Sequence, residues 1–310
     1  MVYRMIHTLA LLMSYIPIPI GEFLGKMIGT AAFLVPSERK AVALESIRKS
    51  FIGTVDSEGA KRIIRKVFIH FGRMLFEVPH ILRMNQDNLA RYAVFENEVN
   101  LLNALEKGTG VFILMAHFGN WELMSAALPM SFKRTAMVVR PIDYPPLEKL
   151  VSGLRTRFGS DIIDKKGAMR RLLKAVKEEK IVGILLDQNV DWYEGVFVKF
   201  LGRWACTNKG LALIALRTGT PVIPVFPVRQ GSGPFRIIFG EEVPLIRTGD
   251  KTRDIEDNTA LFTSIIERYI RKYPDQWFWF HRRWKTRPYC SLPDTFFPKK
   301  PNTQTGQKKL

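Results

Sequence analysis

The sequence predicts an α/β fold: a mixed sheet flanked by helices, preceded by an apolar N-terminal helical segment. Three observations carry this. From residue 97 onward, short apolar runs alternate with stretches of helical period. One run, Val111 to Ala116, is apolar at every position, which suits a strand buried on both faces. Residues 5–36 are almost free of charge, interrupted only by Glu22 and Lys26.

In chain order, the apolar stretch from Met5 to Gly21 falls slightly short of the roughly 20 residues of a spanning helix. Pro17 and Pro19 would bend it near its end. The segment suits a short spanning helix, a re-entrant hairpin or a helix lying in the membrane interface. The alternative is a buried core helix. Arg4 on one side, with Lys26, Arg39 and Lys40 on the other, leans towards a cytosolic body. A short basic helix is expected at 37–50 behind Ser37. A longer one at 57–82, capped by Ser57, has apolar residues such as Ile64, Val67, Phe71, Met74 and Val78 at helical spacing.

Helix 97–107 ends at Gly108, and strand 111–116 follows, then a helix. Strands near 135–139, around Ile162, at 181–186, 196–200, 222–226 and 235–239 alternate with helices near 145–158, 167–179, 208–218 and 254–273. The expected organisation is a membrane-associated segment at 1–36, a helical region at 37–96, an α/β domain at 97–290 and a disordered tail at 291–310. That tail is polar and punctuated by prolines.

The 310 residues carry a net charge of +18. Such an excess favours an anionic partner: nucleic acid, an anionic membrane or an acidic carrier protein. No nucleic-acid recognition motif occurs, and the N-terminus is too apolar for that class. Cys206 and Cys290 cannot build a disulfide framework or a closed zinc site, and read as reduced thiols. There is no nucleophile elbow, P-loop or H-E-x-x-H, and the other histidines (His7, His70, His80, His281) are scattered, so no metal is expected.

The sharpest feature is MAHFGNWELM at 115–124. His117 follows a buried strand, where α/β folds gather their catalysts. Asn120 is placed to cap the next helix. A five-residue step does not share a helix face, but a turn at Gly119 lets Glu122 reach the His117 ring. A carboxylate there would orient a general base without an enzyme nucleophile. The plain alternative is a strand-end histidine beside a solvated glutamate. Asp187, Gln188 and Asn189 stand at another strand's carboxyl end, as site residues or a loop cap, and Arg140 stands after the strand TAMVV. Basic residues cluster at Arg155, Arg157, Lys165, Lys166, Arg170 and Arg171. A second group, Arg282, Arg283, Lys285 and Arg287, is interleaved with Trp277, Trp279 and Trp284, a mixture that suits a membrane interface or a nucleic acid.

At HFGNWE the chain resembles the late acyltransferases of lipid A biosynthesis, the lauroyl and myristoyl transferases of the lysophospholipid acyltransferase superfamily. That branch often carries H-x4-E, as in His117 and Glu122. DQN at 187–189, GVFVKFLGRWACTNKGLALIALRTGTPVIPVF at 195–226 and YPDQWFWFHRRWKTRP at 273–288 agree in order. The resemblance implies a glycerolphosphate-acyltransferase-like fold. It also implies a cytosolic catalytic domain on the inner membrane, an acyl-carrier-protein donor and a lipid A precursor as acceptor; no cofactor is expected. It puts Arg140, and either Arg155 or Arg157, near the active site, with Thr207 and Asn208 lining a pocket. Trp204 before Ala205, and Cys206 before Thr207, depart from the family pattern. The branch that acylates phosphatidylinositol mannosides shares the motif, so another glycolipid acceptor, or a non-catalytic lipid-binding protein, stays open.

Overall fold

The computed structural model describes residues 1–132 and 134–289. Cys290 and the tail expected at 291–310 lie outside the described residues.

Seven strands form one sheet: β1 (Ala93–Glu96), β2 (Val111–Met115), β3 (Thr135–Val139), β4 (Asp161–Asp164), β5 (Ile181–Leu185), β8 (Val222–Val228) and β9 (Phe235–Phe239). Their order is β1-β9-β8-β2-β5-β3-β4. β8, β2, β5, β3 and β4 run parallel. β9 pairs antiparallel with β8, and β1 runs with β9. The sheet is therefore mixed, as expected. Its strand β1 stands before residue 97, where the sequence reading began the α/β domain.

Each face of β2 feeds one core. Phe112, Leu114 and Ala116 pack towards α8 (Ala168–Lys177), α9 (Gly210–Thr218) and α10 (Lys251–Lys272). Val111, Ile113 and Met115 pack towards α5 (Val99–Leu105), α6 (Trp121–Ser131) and α7 (Pro145–Thr156). This strict alternation follows from the two-residue period of a strand.

The expected hairpin strand at 196–200 is β6 (Gly195–Phe200), and it has a partner that the pattern missed, β7 (Arg203–Asn208). A two-residue turn joins them, with Leu201 and Gly202 both at positive φ. Such turns match the right-handed twist of the strands. β7 reads poorly as a strand because RWACTN mixes charge, a small residue and polar groups.

The prolines at 17 and 19 begin a helix instead of ending one. α1 (Val2–Met13) is followed by α2 (Ile18–Leu34), with Pro17 at its N-cap and Pro19 in its first turn. Proline fits there because first-turn N–H groups need no intrahelical acceptor. Among the described residues no single helix is long and apolar enough to cross a membrane; α1 and α2 meet at a bend of 119°. They are not buried core helices, because Met5, Leu9, Leu12, Phe23, Met27 and Leu34 are exposed.

α3 (Glu38–Ser50) is capped by Ser37 as expected. α4 (Ser57–Glu77) is capped by Asp56, not Ser57, and tightens into a 3-10 turn at Val78–Arg83. α2 docks on α4 through glycine. Gly21, Gly25 and Gly29 face inward, and a Cβ on Gly72 of α4 would lie 2.2 Å from the Gly25 carbonyl oxygen. The Trp–Arg mixture near the C-terminus divides: Arg282, Lys285 and Arg287 are exposed. Trp277, Trp279 and Arg283 are buried, so these three belong to the interior and not to a surface belt. The segment closes over the sheet's end through an antiparallel bridge from Phe118 to Trp277.

Candidate active site

β2 and β5 pair in parallel with Val111 opposite Ile181 and Met115 opposite Leu185. Two residues beyond the paired ends stand His117 and Asp187, at equivalent positions on neighbouring strands. Their side chains meet: His117 Nδ1 lies 2.9 Å from Asp187 Oδ1. The His117 backbone N–H donates to Asp187 Oδ2 at 3.0 Å, and the Trp277 indole N–H donates to the same oxygen at 2.7 Å. Burial alone would raise the Asp187 carboxyl. The His117 charge and these hydrogen bonds outweigh it and hold the group below the ordinary carboxylate value.

The carboxylate assigns the ring proton to Nδ1 and leaves the Nε2 lone pair as the base. The Gln188 amide nitrogen approaches Nε2 at 3.3 Å. Trp121 stands edge-on to the ring at 5.2 Å between centroids, and Phe278 lies beyond it at 6.2 Å.

The carboxylate that orients His117 is thus Asp187, where the sequence reading put Glu122. Glu122 is otherwise engaged. One oxygen accepts from Arg155 Nε at 2.8 Å, and the other takes the Arg155 Nη2 and the Trp121 indole N–H. α6 starts at Trp121, so Glu122 points along the first turn towards α7 instead of back to residue 117. Both charged side chains are 13% exposed. Burial would lower the Arg155 guanidinium, yet the hydrogen bond and charge of Glu122 raise it above its ordinary value.

The other expected residues divide. Arg140 is exposed and pairs with Asp143 at 2.8 Å. Arg157 ends α7 over the Phe158 ring and does not join Glu122, so of the two arginines it is Arg155 that lies beside Glu122. Asn189 staples the C-terminal segment: its N–H donates to His281 Nε2, and its side chain exchanges bonds with Thr286. Thr207 is buried and accepts from Arg283. Asn208 bonds the Gly210 N–H at the start of α9. Thr207 thus ties the hairpin to the C-terminal segment, and Asn208 ties it to the start of α9. Cys206 is buried, and burial raises its thiol above the ordinary value.

A narrow, largely apolar cleft opens between α6 and strands β2, β3 and β5. Ile113, Met115, Val138 and Leu185 line it, Trp121 forms part of its wall, and Glu122 and Arg155 supply its polar side. Gly183 keeps the floor open, since a Cβ there would come within 3.0 Å of the Met115 sulfur. Among the described residues no group of three or more His, Cys, Asp or Glu is placed to hold a metal.

Sequence reasoning passed over His281 and His70 as scattered. Burial lowers the His281 ring to about 4, which suits its role as acceptor from Asn189. His70 reaches the turn after His117, with Nε2 at 3.1 Å from the Gly119 carbonyl oxygen. No local pattern marks such a contact, because it joins residues 49 positions apart.

The model of one protein family, described as bacterial lipid A biosynthesis acyltransferase, matches residues 3–286. The chain is 25% identical to lipid A biosynthesis lauroyltransferase of Escherichia coli over 280 residues, 89% of each chain. It is 26% identical to a lipid A biosynthesis acyltransferase of Haemophilus influenzae over 288 residues, 91% of this chain and 89% of that one. A phosphatidylinositol mannoside acyltransferase of Mycolicibacterium smegmatis is 21% identical over 251 residues, 77% and 79% of the two chains. Among solved structures, the 1-acyl-sn-glycerophosphate acyltransferase of Thermotoga maritima is similar with a TM-score of 0.38 and 13% identity, covering 77% of this chain and 96% of that one.

Proposed function

This chain belongs to the bacterial lipid A biosynthesis acyltransferase family, and from that premise we propose that it moves a fatty acyl group from acyl-carrier protein to a hydroxyl of a lipid A precursor, with His117 as general base. One observation carries the mechanism. The His117 ring is held by Asp187 through Nδ1, and the Trp121 ring beside it walls the apolar cleft.

In this reading the acyl chain lies in the cleft and its thioester carbonyl comes to His117. Nε2 takes the proton from the acceptor hydroxyl as the oxygen attacks the carbonyl carbon. The tetrahedral oxyanion is stabilised by the amides that open α6 and by the positive end of that helix. The C–S bond then breaks, and protonated His117 returns the proton to the leaving thiolate. No acyl-enzyme forms. Asp187 keeps the tautomer and stabilises the imidazolium. The Glu122–Arg155 pair fixes α6 against α7 and so sets the cleft's polar side.

The exposed apolar faces of α1 and α2 support contact with the membrane, with the catalytic body on the cytoplasmic side of the inner membrane. The +18 charge supports steering of an acidic carrier, acceptor phosphates and anionic lipid.

The test is a transfer assay with detergent-purified protein, labelled acyl-carrier protein and a phosphorylated Kdo-lipid A acceptor. We expect transfer by the wild type and a fall of about 10²–10⁴-fold in His117→Ala, the worth of a general base. Full activity in a folded His117→Ala protein would remove His117 from the mechanism. Thioester hydrolysis without transfer would keep the chemistry and reject this acceptor, turning attention to other glycolipids.

A further inference from the structure

His70, Arg73 and Glu77 share one face of α4, because they stand three and four residues apart. All three are polar on the side of the helix that faces the body, whereas Lys61, Arg62, Arg65 and Lys66 are exposed. His70 is 3% exposed, and its Nε2–H meets the Gly119 carbonyl oxygen at 3.1 Å. Arg229, just past the end of β8, donates to the other ring nitrogen, Nδ1, at 3.3 Å. That donor fixes the tautomer, since Nδ1 must keep its lone pair. Burial, helped by the Arg229 charge, lowers the ring to about 3, so it stays neutral at any working pH.

Glu77 holds the next residue of the same turn. Its Oε2 accepts from the Asn120 side-chain nitrogen at 3.0 Å, while Arg229 pairs with both carboxylate oxygens at 2.6 and 2.7 Å. The Asn120 side-chain oxygen is meanwhile the cap of α6, accepting from the Leu123 N–H. Gln276 completes the cage: its carbonyl takes the Gly119 N–H, and its side chain exchanges two bonds with the Arg229 backbone. Gly119 stands at φ +58°, pressed so closely on Pro227 that a Cβ would overlap the Pro227 carbonyl oxygen at 1.7 Å. A turn so constrained has one shape only while its polar groups are held.

We propose that His70 and Glu77 are positioning residues for acyl transfer: acting through the Gly119 carbonyl and the Asn120 side chain, they hold the turn that carries His117 and opens α6. Neither touches the His117 ring. They set its distance from the first turn of α6, and hence from the oxyanion that those amides face. The inference rests on the catalytic reading of His117 given above. It explains why α4 carries a buried neutral histidine and a paired, half-buried glutamate where apolar residues would pack more simply.

The test compares His70→Phe, His70→Gln and Glu77→Gln in the full chain. Phenylalanine keeps the ring and removes both hydrogen bonds. Glutamine returns an amide N–H near the position of Nε2. His70→Phe should lower kcat about 10- to 100-fold per folded molecule with little change in KM, the effect of a misplaced reacting group. His70→Gln should restore most of that loss. Glu77→Gln, which keeps an acceptor for Asn120 but loses the Arg229 charge, should fall between them. A second readout does not need turnover: hydrogen exchange of a peptide spanning 117–124 should speed at least about tenfold in His70→Phe, with β8 and α10 unchanged. Full kcat in folded His70→Phe, or exchange that rises evenly over the whole chain, would overturn the proposal. If the wild type itself transfers nothing, the donor or acceptor reading fails, and the exchange pattern still decides the role of His70.

Discussion

Asp187 takes the part that the sequence reading gave to Glu122, and Glu122 pairs with Arg155 instead. The H-x4-E spacing pairs His117 with Glu122, yet the imidazole leans on a carboxylate 70 residues away. Asp187→Asn should therefore lower kcat about 10²–10⁴-fold with the fold intact, because the asparagine amide no longer dictates the Nδ1–H tautomer. Glu122 and Arg155 should instead behave as a unit. Glu122→Ala and Arg155→Met each leave a largely buried charge unpaired, a loss of about 3–5 kcal/mol. A double-mutant cycle by thermal unfolding should show strong coupling, with the double variant less impaired than the sum of the singles. Additive losses would uncouple Glu122 from Arg155, and an unaltered Asp187→Asn enzyme would remove Asp187 from the orienting role.

The elements follow their sequence signals closely where periodicity is strong and poorly where a special contact decides. The strand TAMVV and the 235–239 strand stand where they were expected. β7 and α2 did not, because a hairpin's second strand depends on its partner and a proline at a helix start resembles one at a helix end. α2 also inverts the usual helix: glycines face the body and large apolar side chains face out. Its close seat on α4 leaves no room for a methyl group at Gly72. Gly72→Ala should cost about 1–3 kcal/mol by overpacking. It should also lift α2, so that trypsin cleaves at Lys26 faster than in the wild type. An unchanged cleavage rate would show that α2 is held by something other than this glycine seam.

Over the whole molecule, buried His70 and partly buried His281 make stability depend on pH. The folded rings of His70 and His281 are lowered to about 3 and about 4. In the unfolded chain they titrate near 6.5. Between these values the unfolded state binds more protons, so stability is complete above about pH 6.5 and declines as pH falls. Each ring contributes a slope of up to about 1.4 kcal/mol per pH unit. Asp187, held below the ordinary carboxylate value, adds its loss only at still lower pH. The thermal midpoint should fall steadily from pH 6.5 to 5, and His70→Gln should flatten that fall. A midpoint independent of pH in this range would mean that these rings are protonated in the folded chain.

The amino-acid sequence by itself determined the order of strands and helices from residue 97 apart from β7, the placing of His117 at the end of a buried strand, Asn120 as the α6 cap, and the family. These are properties of short windows, where side-chain period and turn chemistry act locally. Only the tertiary structure decided which carboxylate serves His117, which arginine answers Glu122, which face α2 presents, and that Trp277, Trp279 and Arg283 lie inside. Those outcomes depend on strand register and helix docking between residues far apart in the chain. There a parallel pairing can set Asp187 beside His117 with no spacing that a local pattern would reveal.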